Sequence, residues 1–355
     1  MKRRAFLKHG AGLAGGVSLS GCLDRLGFET QSAWRDPPLV RDRPDGVYYP
    51  AVVEGMGTYG TTTVDDVGFA LLYSFPHRFW NLTGTRKTKV VVRERDSLHL
   101  MATVWDAKTK TVLPVDVSVT IGGSDGRVTT TNLWPMLSPN MGFHYGDNVA
   151  LPGEGHYEAT LRIGPLQTGR TRPFEGRFTE SRSATIGFTF DTAETYDLAY
   201  RRLGEKAGTR GTVDLMEMEG VPEPVAPPKR DLPGRLLGEG TADDATFFVS
   251  AAPADSRFGD GDRPALVVSP RTPYNRIVLP RMTLSATIER DGETVFRGPL
   301  RASLDPEVGC FYGAAIPGIE AGDTVTIEPQ TPPQLARHGG YETAFIQMSP
   351  IGVSA

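Results

Sequence analysis

Short runs in which hydrophobic and polar residues alternate dominate the chain, and they predict β-strands separated by turns. The runs are rich in Val, Thr, Ile and Phe and are bounded by Gly, Pro, Asp and Asn. The clearest strands are predicted at residues 89–93, 98–105, 115–121, 157–163, 185–190, 265–269, 283–288 and 324–328. One helix is predicted at 194–205. Strand lengths and turn spacing favour an all-β fold with immunoglobulin-like β-sandwich domains, and a barrel is the alternative.

The chain also contains an internal repeat. Residues 137–146 (LSPNMGFHYG) align without gaps to residues 304–313 (LDPEVGCFYG), sharing Leu, Pro, Gly, Tyr and Gly at an offset of 167. Two weaker pairings set 100–104 against 284–288 and 70–74 against 265–269. We interpret the chain as two β-sandwich domains in tandem, of which the second is a degenerate copy of the first.

Changes in composition suggest the domain boundaries. We expect a signal at 1–21, a tether at 22–45, a metal-binding β-sandwich domain at 46–205, a Pro/Gly-rich linker at 206–244 and a second β-sandwich domain at 245–355. The linker is predicted mainly from the five prolines in residues 221–233.

The N-terminus resembles an export signal for a lipoprotein. Arg3 and Arg4, followed by Phe-Leu-Lys, resemble a twin-arginine signal, and the Leu-Ser-Gly-Cys sequence ending at Cys22 resembles a lipoprotein cleavage box. We therefore expect Cys22 to carry a membrane lipid on the extracytoplasmic face of the cell membrane. Cys310 then has no partner for an intrachain disulfide.

Composition and charge exclude several classes of protein. With 39% hydrophobic and 23% charged residues, the 355-residue chain can form a packed core. A net charge of −4 without a basic cluster argues against nucleic-acid binding, and two cysteines are too few for a Cys-rich metal site. No run of 18 apolar residues predicts a transmembrane helix. No Ser/His/Asp or G-x-S-x-G motif is present, so we do not expect an enzyme.

Histidines and methionines concentrate in the first half of the chain. His99 and Met101 are predicted on one face of a strand, because side chains alternate with a period of two. Met136, Met141 and His144 lie within nine residues, in a segment interrupted by Pro and Gly that predicts a loop. Imidazole and thioether groups together suit copper, because the thioether is a soft ligand.

Further candidate ligands lie upstream of these residues. They are Glu54, Met56 and His77, and the Glu54 carboxylate would add a harder oxygen ligand suited to iron, manganese or Cu(II). Under the competing interpretation the methionines fill the core and the histidines are structural. His156 and His338 are predicted to be surface residues. A metal site requires three or more of the first-half ligands to converge within about 5 Å.

The repeat provides an internal control for these candidates. Under the three alignments above, every candidate ligand in the aligned segments is replaced in the second copy by a residue that binds metal poorly. The replacements are Thr283 for His99, Ser285 for Met101, Ser303 for Met136, Val308 for Met141 and Phe311 for His144. Their joint loss favours a set that works together in the first copy.

The residues around His144 resemble a known family. Pro-Met at 135–136, then Gly-Phe-His-Tyr-Gly-Asp-Asn at 142–148 and Gly-His-Tyr at 155–157, are similar to motifs of the periplasmic iron-transport accessory proteins, which include metal-binding surface lipoproteins. The resemblance covers roughly residues 47–191. It implies an immunoglobulin-like sandwich that forms a homodimer, a copper site made by Met and His, and a nearby iron or manganese site with a carboxylate. It also implies an iron permease as partner, and Met136, His144 and His99 as ligands.

The chain departs from the family pattern at two positions that bear on the site. The family's His-Leu-Glu reads His-Leu-Met here, ending at Met101, so one carboxylate is lost. The later family histidine, which follows Gly-Arg, is replaced by Thr171. This second change argues against a ligand shared across a dimer interface, and His77 is the candidate for the missing imidazole.

The sequence therefore predicts a lipid-anchored, extracytoplasmic metal-binding protein that assists iron or copper-dependent iron uptake. Two alternatives stay open. One is a copper-dependent redox enzyme acting on iron, and the other is a structural or adhesive sandwich lipoprotein that binds no metal.

Overall fold

The computed structural model describes residues 39–124 and 126–355, and their regular elements are almost all β-strands. The prediction of an all-β fold is therefore confirmed. The predictions for Arg3, Arg4 and Cys22 lie outside the described residues. Within the described part of the chain, no helix has the length and apolar character needed to cross a bilayer.

Strands of the first half run from β1 to β13, with one short α-helix. They are β1 (Val52–Glu54), β2 (Gly57–Val64), β3 (Val67–Ser74), β4 (Phe79–Thr83), β5 (Arg86–Val90), β6 (Leu98–Asp106), β7 (Val117–Gly123), β8 (Gly126–Ser138), β9 (Gly142–Val149), β10 (Gly155–Ile163), β11 (Gly169–Arg170), β12 (Arg182–Phe190), α1 (Thr192–Tyr196) and β13 (Tyr200–Arg202). Turns of 3₁₀ helix lie at Arg172–Phe174, Gly204–Lys206 and Lys229–Asp231.

Strands of the second half run from β14 to β22. They are β14 (Arg235–Ala242), β15 (Ala245–Ala252), β16 (Ala265–Arg271), β17 (Thr283–Arg290), β18 (Glu293–Asp305), β19 (Gly309–Ala315), β20 (Thr324–Thr331), β21 (Ala336–Arg337) and β22 (Ile351–Ser354).

The two halves have the same strand order. The first half reads β12-β10-β7-β8-β9-β6-β3-β2, and the second reads β22-β20-β17-β18-β19-β16-β15-β14. In each half one 13-residue strand, β8 or β18, pairs along its first part with the preceding strand and along its last part with the following one. Each of these strands therefore joins two layers whose inner faces share one hydrophobic core.

Strand registers correct two of the predicted pairings between the copies. Met136 opposes His144 as Ser303 opposes Phe311, so the alignment at an offset of 167 agrees with the register. The pairings of 100–104 with 284–288 and of 70–74 with 265–269 are wrong, because β6 occupies the place of β16, and β3 that of β15. His99 opposes Asn148 as Ala265 opposes Ala315. Strands with the same apolar alternation look alike over five residues, and only their neighbours distinguish them.

Three local predictions also need correction. The helix predicted at 194–205 is only α1, which Asp191 caps, and the chain then forms β13 against β1. An isolated helix of this length is marginal, so strand pairing prevails. The predicted linker at 206–244 contains β14, so its last part belongs to the second sheet. The loop predicted between Met136 and His144 is the β8–β9 hairpin.

Two very short strands cross between the halves in a reciprocal way. β11 of the first half pairs in parallel with β18 at Ser303 and Leu304, and β21 of the second half pairs in parallel with β8 at Met136 and Leu137. The residues that follow repeat the arrangement: the Thr171 N–H donates to the Leu304 carbonyl, and the His338 N–H to the Leu137 carbonyl, both at 3.1 Å. The halves are thus related as two subunits that exchange a strand.

The repeat also extends to a buried tyrosine in each half. The Tyr145 hydroxyl donates to the carbonyl of Leu113 at 2.8 Å, and the Tyr312 hydroxyl donates to the carbonyl of Leu279 at 3.0 Å. The Tyr312 hydroxyl also accepts from the Met282 N–H at 2.9 Å. Each tyrosine ties a strand of the core to a connecting segment.

Replacing either tyrosine by phenylalanine tests this equivalence. Tyr145→Phe and Tyr312→Phe are each expected to lower the free energy of unfolding by about 1–3 kcal/mol, because a buried carbonyl loses its donor. The loss should be larger for Tyr312→Phe, which leaves two backbone groups unpaired. Denaturant unfolding measures both, with the half-exposed Tyr274→Phe as the control. Equal stability of all four proteins would contradict the assignment.

The buried carboxylate of Asp305 lies at the contact between the two halves, and its ionisation determines how the stability of the chain responds to acid. Asp305 accepts hydrogen bonds from Thr171 of the first half at 2.6 Å and from Arg257 at 2.7 and 3.0 Å. Burial alone would raise the pKa of Asp305, but these hydrogen bonds outweigh it and the pKa is lowered. Because the pKa of Asp305 is lower in the folded chain than in the unfolded chain, ionised Asp305 stabilises the fold at pH values above its unfolded pKa of about 4. This stabilisation is lost as the pH falls through the folded pKa.

The variant Asp305→Asn isolates this contribution. At pH 7 it is expected to lose about 2–3 kcal/mol of unfolding free energy relative to the unchanged chain, because charge-assisted hydrogen bonds are lost. The difference should shrink below about pH 4, where the carboxylate is protonated in the unfolded chain. Urea unfolding at several pH values measures it, with exposed Asp262→Asn as the control. A difference independent of pH would refute the assignment.

Candidate metal centre

Neighbouring strands of the first sheet direct imidazole and thioether groups to one face. On β6, Leu98 and Leu100 enter the core, so His99 and Met101 share the opposite face, as the alternation predicts. On β9, the core residues Phe143 and Tyr145 flank His144 in the same way, and Met136 on β8 opposes His144 in the register.

Two further histidines arrive from outside these strands. His77 lies in the connection between β3 and β4, and His338 follows β21 of the second half. One nitrogen each of His77, His99 and His338 all lie within 4.8 Å of one another. His77 Nε2 is 3.0 Å from His338 Nδ1. These three imidazoles form the centre of the candidate site.

The prediction that His338 lies on the surface is wrong. Its side chain is buried, because β21 pairs with β8 and the His338 N–H continues that pairing to Leu137. The sequence contained a signal for it. Ala336-Arg337-His338 lies 167 residues after Gly169-Arg170-Thr171. The family histidine that Thr171 replaces in the first copy is therefore present as His338 in the second copy.

Hydrogen bonds fix the tautomers of two of the histidines. His99 Nδ1 is 2.9 Å from the Asn148 amide oxygen, whose orientation is set because Asn148 Nδ2 donates to the His77 carbonyl. His144 Nδ1 is 3.0 Å from the carbonyl oxygen of Gly142. Since these oxygens only accept, each Nδ1 carries the proton and each Nε2 presents a lone pair.

These two lone pairs are the clearest indication that the site can accept a metal ion. The Nε2 atoms of His99 and His144 are buried, and neither has a hydrogen-bond partner among the described residues. An unpaired buried polar atom is costly, and metal-binding histidines typically donate their other N–H to an oxygen in this manner. The residues therefore fit a metal ion.

Met136 and Gly146 define the space beside these imidazoles. The Met136 sulfur is 3.3 Å from His338 Nε2. A Cβ atom at Gly146 would lie 2.7 Å from His99 Nε2 and 3.1 Å from the Met136 sulfur. The absence of a side chain at Gly146 therefore leaves open the region that both donor atoms face.

Glu54 adds a carboxylate at the edge of the cluster. Its Oε2 is 3.2 Å from His77 Nδ1, and its carbonyl oxygen accepts from the Asn140 amide at 3.2 Å. The carboxylate can orient the His77 ring or supply a hard oxygen ligand.

Burial keeps the imidazoles of His99, His144 and His338 neutral. It lowers the pKa of His99 and of His338 well below the ordinary range, and the neighbouring imidazoles reinforce the effect. Burial also lowers the pKa of His144 to about 4. Neutral imidazoles at neutral pH are the form in which histidine binds a metal.

The other predicted methionines line a neighbouring cavity or pack in an apolar cluster beside it. A cavity of about 110 Å³ opens beside the site, and its walls include Met56 and Met101 together with Glu54, His77 and His144. Met141 belongs to an apolar cluster with Met101 and Trp105, against which Met56 packs. Met141 is therefore placed as a packing residue, while Met56 and Met101 border the cavity.

The same face of the second half carries none of these ligands. By register, Ala265 stands for His99 and Val267 for Met101, and by the offset Ser303, Val308 and Phe311 stand for Met136, Met141 and His144. Four of the five pack in an apolar cluster. The candidate ligands of the first copy are therefore still lost together in the second, although Thr283 and Ser285 were the wrong counterparts of His99 and Met101.

Two family models match separate parts of the chain. Residues 107–201 match the model described as "Fe2+ transport protein", and residues 230–354 match a domain of unknown function, DUF7350. The first match confirms the resemblance found in the sequence and lies in the half that carries most of the ligands. No curated protein matches the chain.

Solved structures match about two-fifths of the chain. A copper-bound variant of FetP from uropathogenic Escherichia coli strain F11 is 20% identical, with 38% of this chain and 92% of that chain covered and a TM-score of 0.31. A copper-bound variant of P19 from Campylobacter jejuni is 22% identical, with 39% and 96% covered and a TM-score of 0.31.

Proposed function

We propose that this chain is a lipid-anchored, extracytoplasmic metal-binding protein that assists iron uptake. His77, His99, His338 and Met136 hold the ion, the Nε2 lone pair of His144 is a further donor, and Glu54 lies at the edge of the cluster. The observation that carries the proposal is the pair of buried Nε2 lone pairs next to a convergent set of imidazoles. The match of residues 107–201 to an Fe²⁺ transport protein model supports iron as the transported ion.

The donor set favours copper at the imidazole cluster. Neutral imidazoles accept both copper oxidation states, and the Met136 thioether favours Cu(I). The Glu54 carboxylate, bound to His77, offers the hard oxygen that iron or manganese prefers. We therefore assign copper to the imidazole cluster and iron to the Glu54 side of the cavity.

The second half completes the site within a single chain. The resemblance implied a homodimer, and the reciprocal strand exchange gives the two halves the relation of two subunits. His338 then supplies from the second half the histidine that Thr171 does not provide. One chain thus contains the whole ligand set, and a homodimer is not required for binding.

The location follows from the N-terminal signals, and the partner follows from the resemblance to the iron-transport family. Arg3 and Arg4 direct export, the lipid on Cys22 holds the protein at the membrane, and an iron permease is the partner that receives the ion. The proposal assigns no catalytic turnover to the site. Copper-loaded protein is expected to leave Fe(II) oxidation at its background rate.

The variant His338→Ala tests both the site and its completion by the second half. Titration with copper and with Fe(II) is expected to show stoichiometric binding by the unchanged chain and at least tenfold weaker copper binding by the variant, about 1.4 kcal/mol. His156→Ala removes an exposed histidine whose ring hydrogen-bonds to Thr189, and should bind as the unchanged chain does. Unchanged copper affinity in His338→Ala would refute the proposal.

Gly146→Ala tests the space between the donors without removing a ligand. Its new methyl group would enter the region facing His99 Nε2 and the Met136 sulfur, so copper affinity should fall at least tenfold. Gly187→Ala is the control, because a Cβ there meets nothing within 4 Å. Elemental analysis after copper loading reports the difference. Equal copper content in both variants would place the ion elsewhere.

A further inference from the structure

A second cavity occupies the place in the other half that corresponds to the candidate metal centre. Its volume is about 670 Å³. Its floor includes Ala265, Ser303, Phe311 and Gly313, which take the positions of His99, Met136, His144 and Gly146. The repeat has therefore kept a cavity at this position while changing the residues that line it.

Arginines replace the histidines and methionines around this cavity. Arg170 and Arg172 reach it from the first half through β11 and the following turn, on either side of the residue equivalent to His338. Arg301 lies on β18, and Arg257 lies in the connection after β15, as His77 lies in the connection after β3. Both halves thus contribute positive charge to one space.

Much of this charge has no counterion. Arg257 pairs with Asp305 and Glu307. Within residues 39–124 and 126–355, the side chains of Arg170, Arg172 and Arg301 form no ion pair.

The carboxylates that line the cavity do not compensate for these arginines. Asp260 is paired with Arg263, which leaves Glu175 as the acidic lining residue without an ion pair in the described chain. The cavity wall therefore carries an excess of uncompensated positive charge.

Arg170 shows most clearly that a partner is missing. Its Nη2 donates to the carbonyl oxygens of Leu166 and Phe178, at 2.7 and 3.3 Å, while its buried Nε has no hydrogen-bond partner among the described residues. Burial lowers the pKa of Arg170, and the nearby charge of Arg301 lowers it further. An anion between the two guanidinium groups would relieve both penalties.

We propose that this cavity binds a small multivalent oxyanion, carboxylate or phosphate, between the two halves of the chain. Guanidinium groups match both kinds of oxyanion because their N–H donors form a planar fork. The volume lies in the range of small-molecule pockets, so it can hold an organic anion. The proposal is independent of metal binding, because it uses none of the metal-ligating side chains.

Calorimetric titration of the metal-free full chain with citrate and, separately, with inorganic phosphate tests the proposal at low ionic strength. Binding of at least one probe is expected, and it should weaken as salt is added. Arg301→Ala is expected to reduce the affinity at least tenfold, and Arg172→Ala gives a second variant should the first fail to fold. Arg301→Lys should bind with intermediate affinity, because it keeps the charge but loses the planar fork.

Arg297→Ala is the matched control for these variants. Arg297 lies four residues earlier on β18, is exposed and does not line the cavity, so its removal changes the net charge equally and should alter the affinity less than twofold. Binding of citrate alone identifies a carboxylate ligand, and binding of phosphate alone identifies a phosphate ligand. The proposal is overturned if neither probe binds, or if the Arg301→Ala and Arg297→Ala proteins bind equally well.

Discussion

The reciprocal pairing of β21 with β8 and of β11 with β18 is the constraint on which the rest of the molecule depends. Each pairing is only two residues long, and a parallel ladder of this length contributes little stability alone. Its importance is positional. It directs the residue after each short strand into the other half, so that His338 enters the first and Thr171 the second.

The same exchange serves two different chemistries. In the first half the space beside β6, β8 and β9 is surrounded by imidazoles and a thioether, and buried Nε2 atoms face it without partners among the described residues. In the second half the corresponding floor is made of small and apolar residues, and arginines surround it. Duplication preserved the backbone and the strand order, while the residues on one face of three strands diverged.

Burying several imidazoles together removes their ring nitrogens from water, and hydrogen bonds around the site offset part of this desolvation cost. Asn148 bonds both the His99 ring and the His77 backbone, so one side chain fixes a histidine on a strand and a histidine in a connection. The Gly142 carbonyl oxygen accepts from Nδ1 of His144 and so orients that ring. These contacts orient the donor atoms before a metal arrives, which reduces the ordering that binding must impose. Local polar burial of this kind is expected where a fold gives up stability for a site.

Local pattern in the sequence was enough to determine the all-β fold, the alternation that puts His99 and Met101 on one face, and the repeat centred on residues 137–146 and 304–313. These follow from the period of a strand and from identities at a constant offset, which need no knowledge of distant contacts. The correct counterpart of His99, Ala265, required the strand order, because several strands share one apolar alternation. The offset of 167 relates His338 to Thr171, but only the tertiary structure placed His338 beside the other histidines, since a residue 194 positions after His144 reaches them through the pairing of β21 with β8. It also separated Met141, a packing residue, from Met136, whose sulfur contacts the His338 ring, because burial and direction depend on the neighbours that each strand acquires on folding.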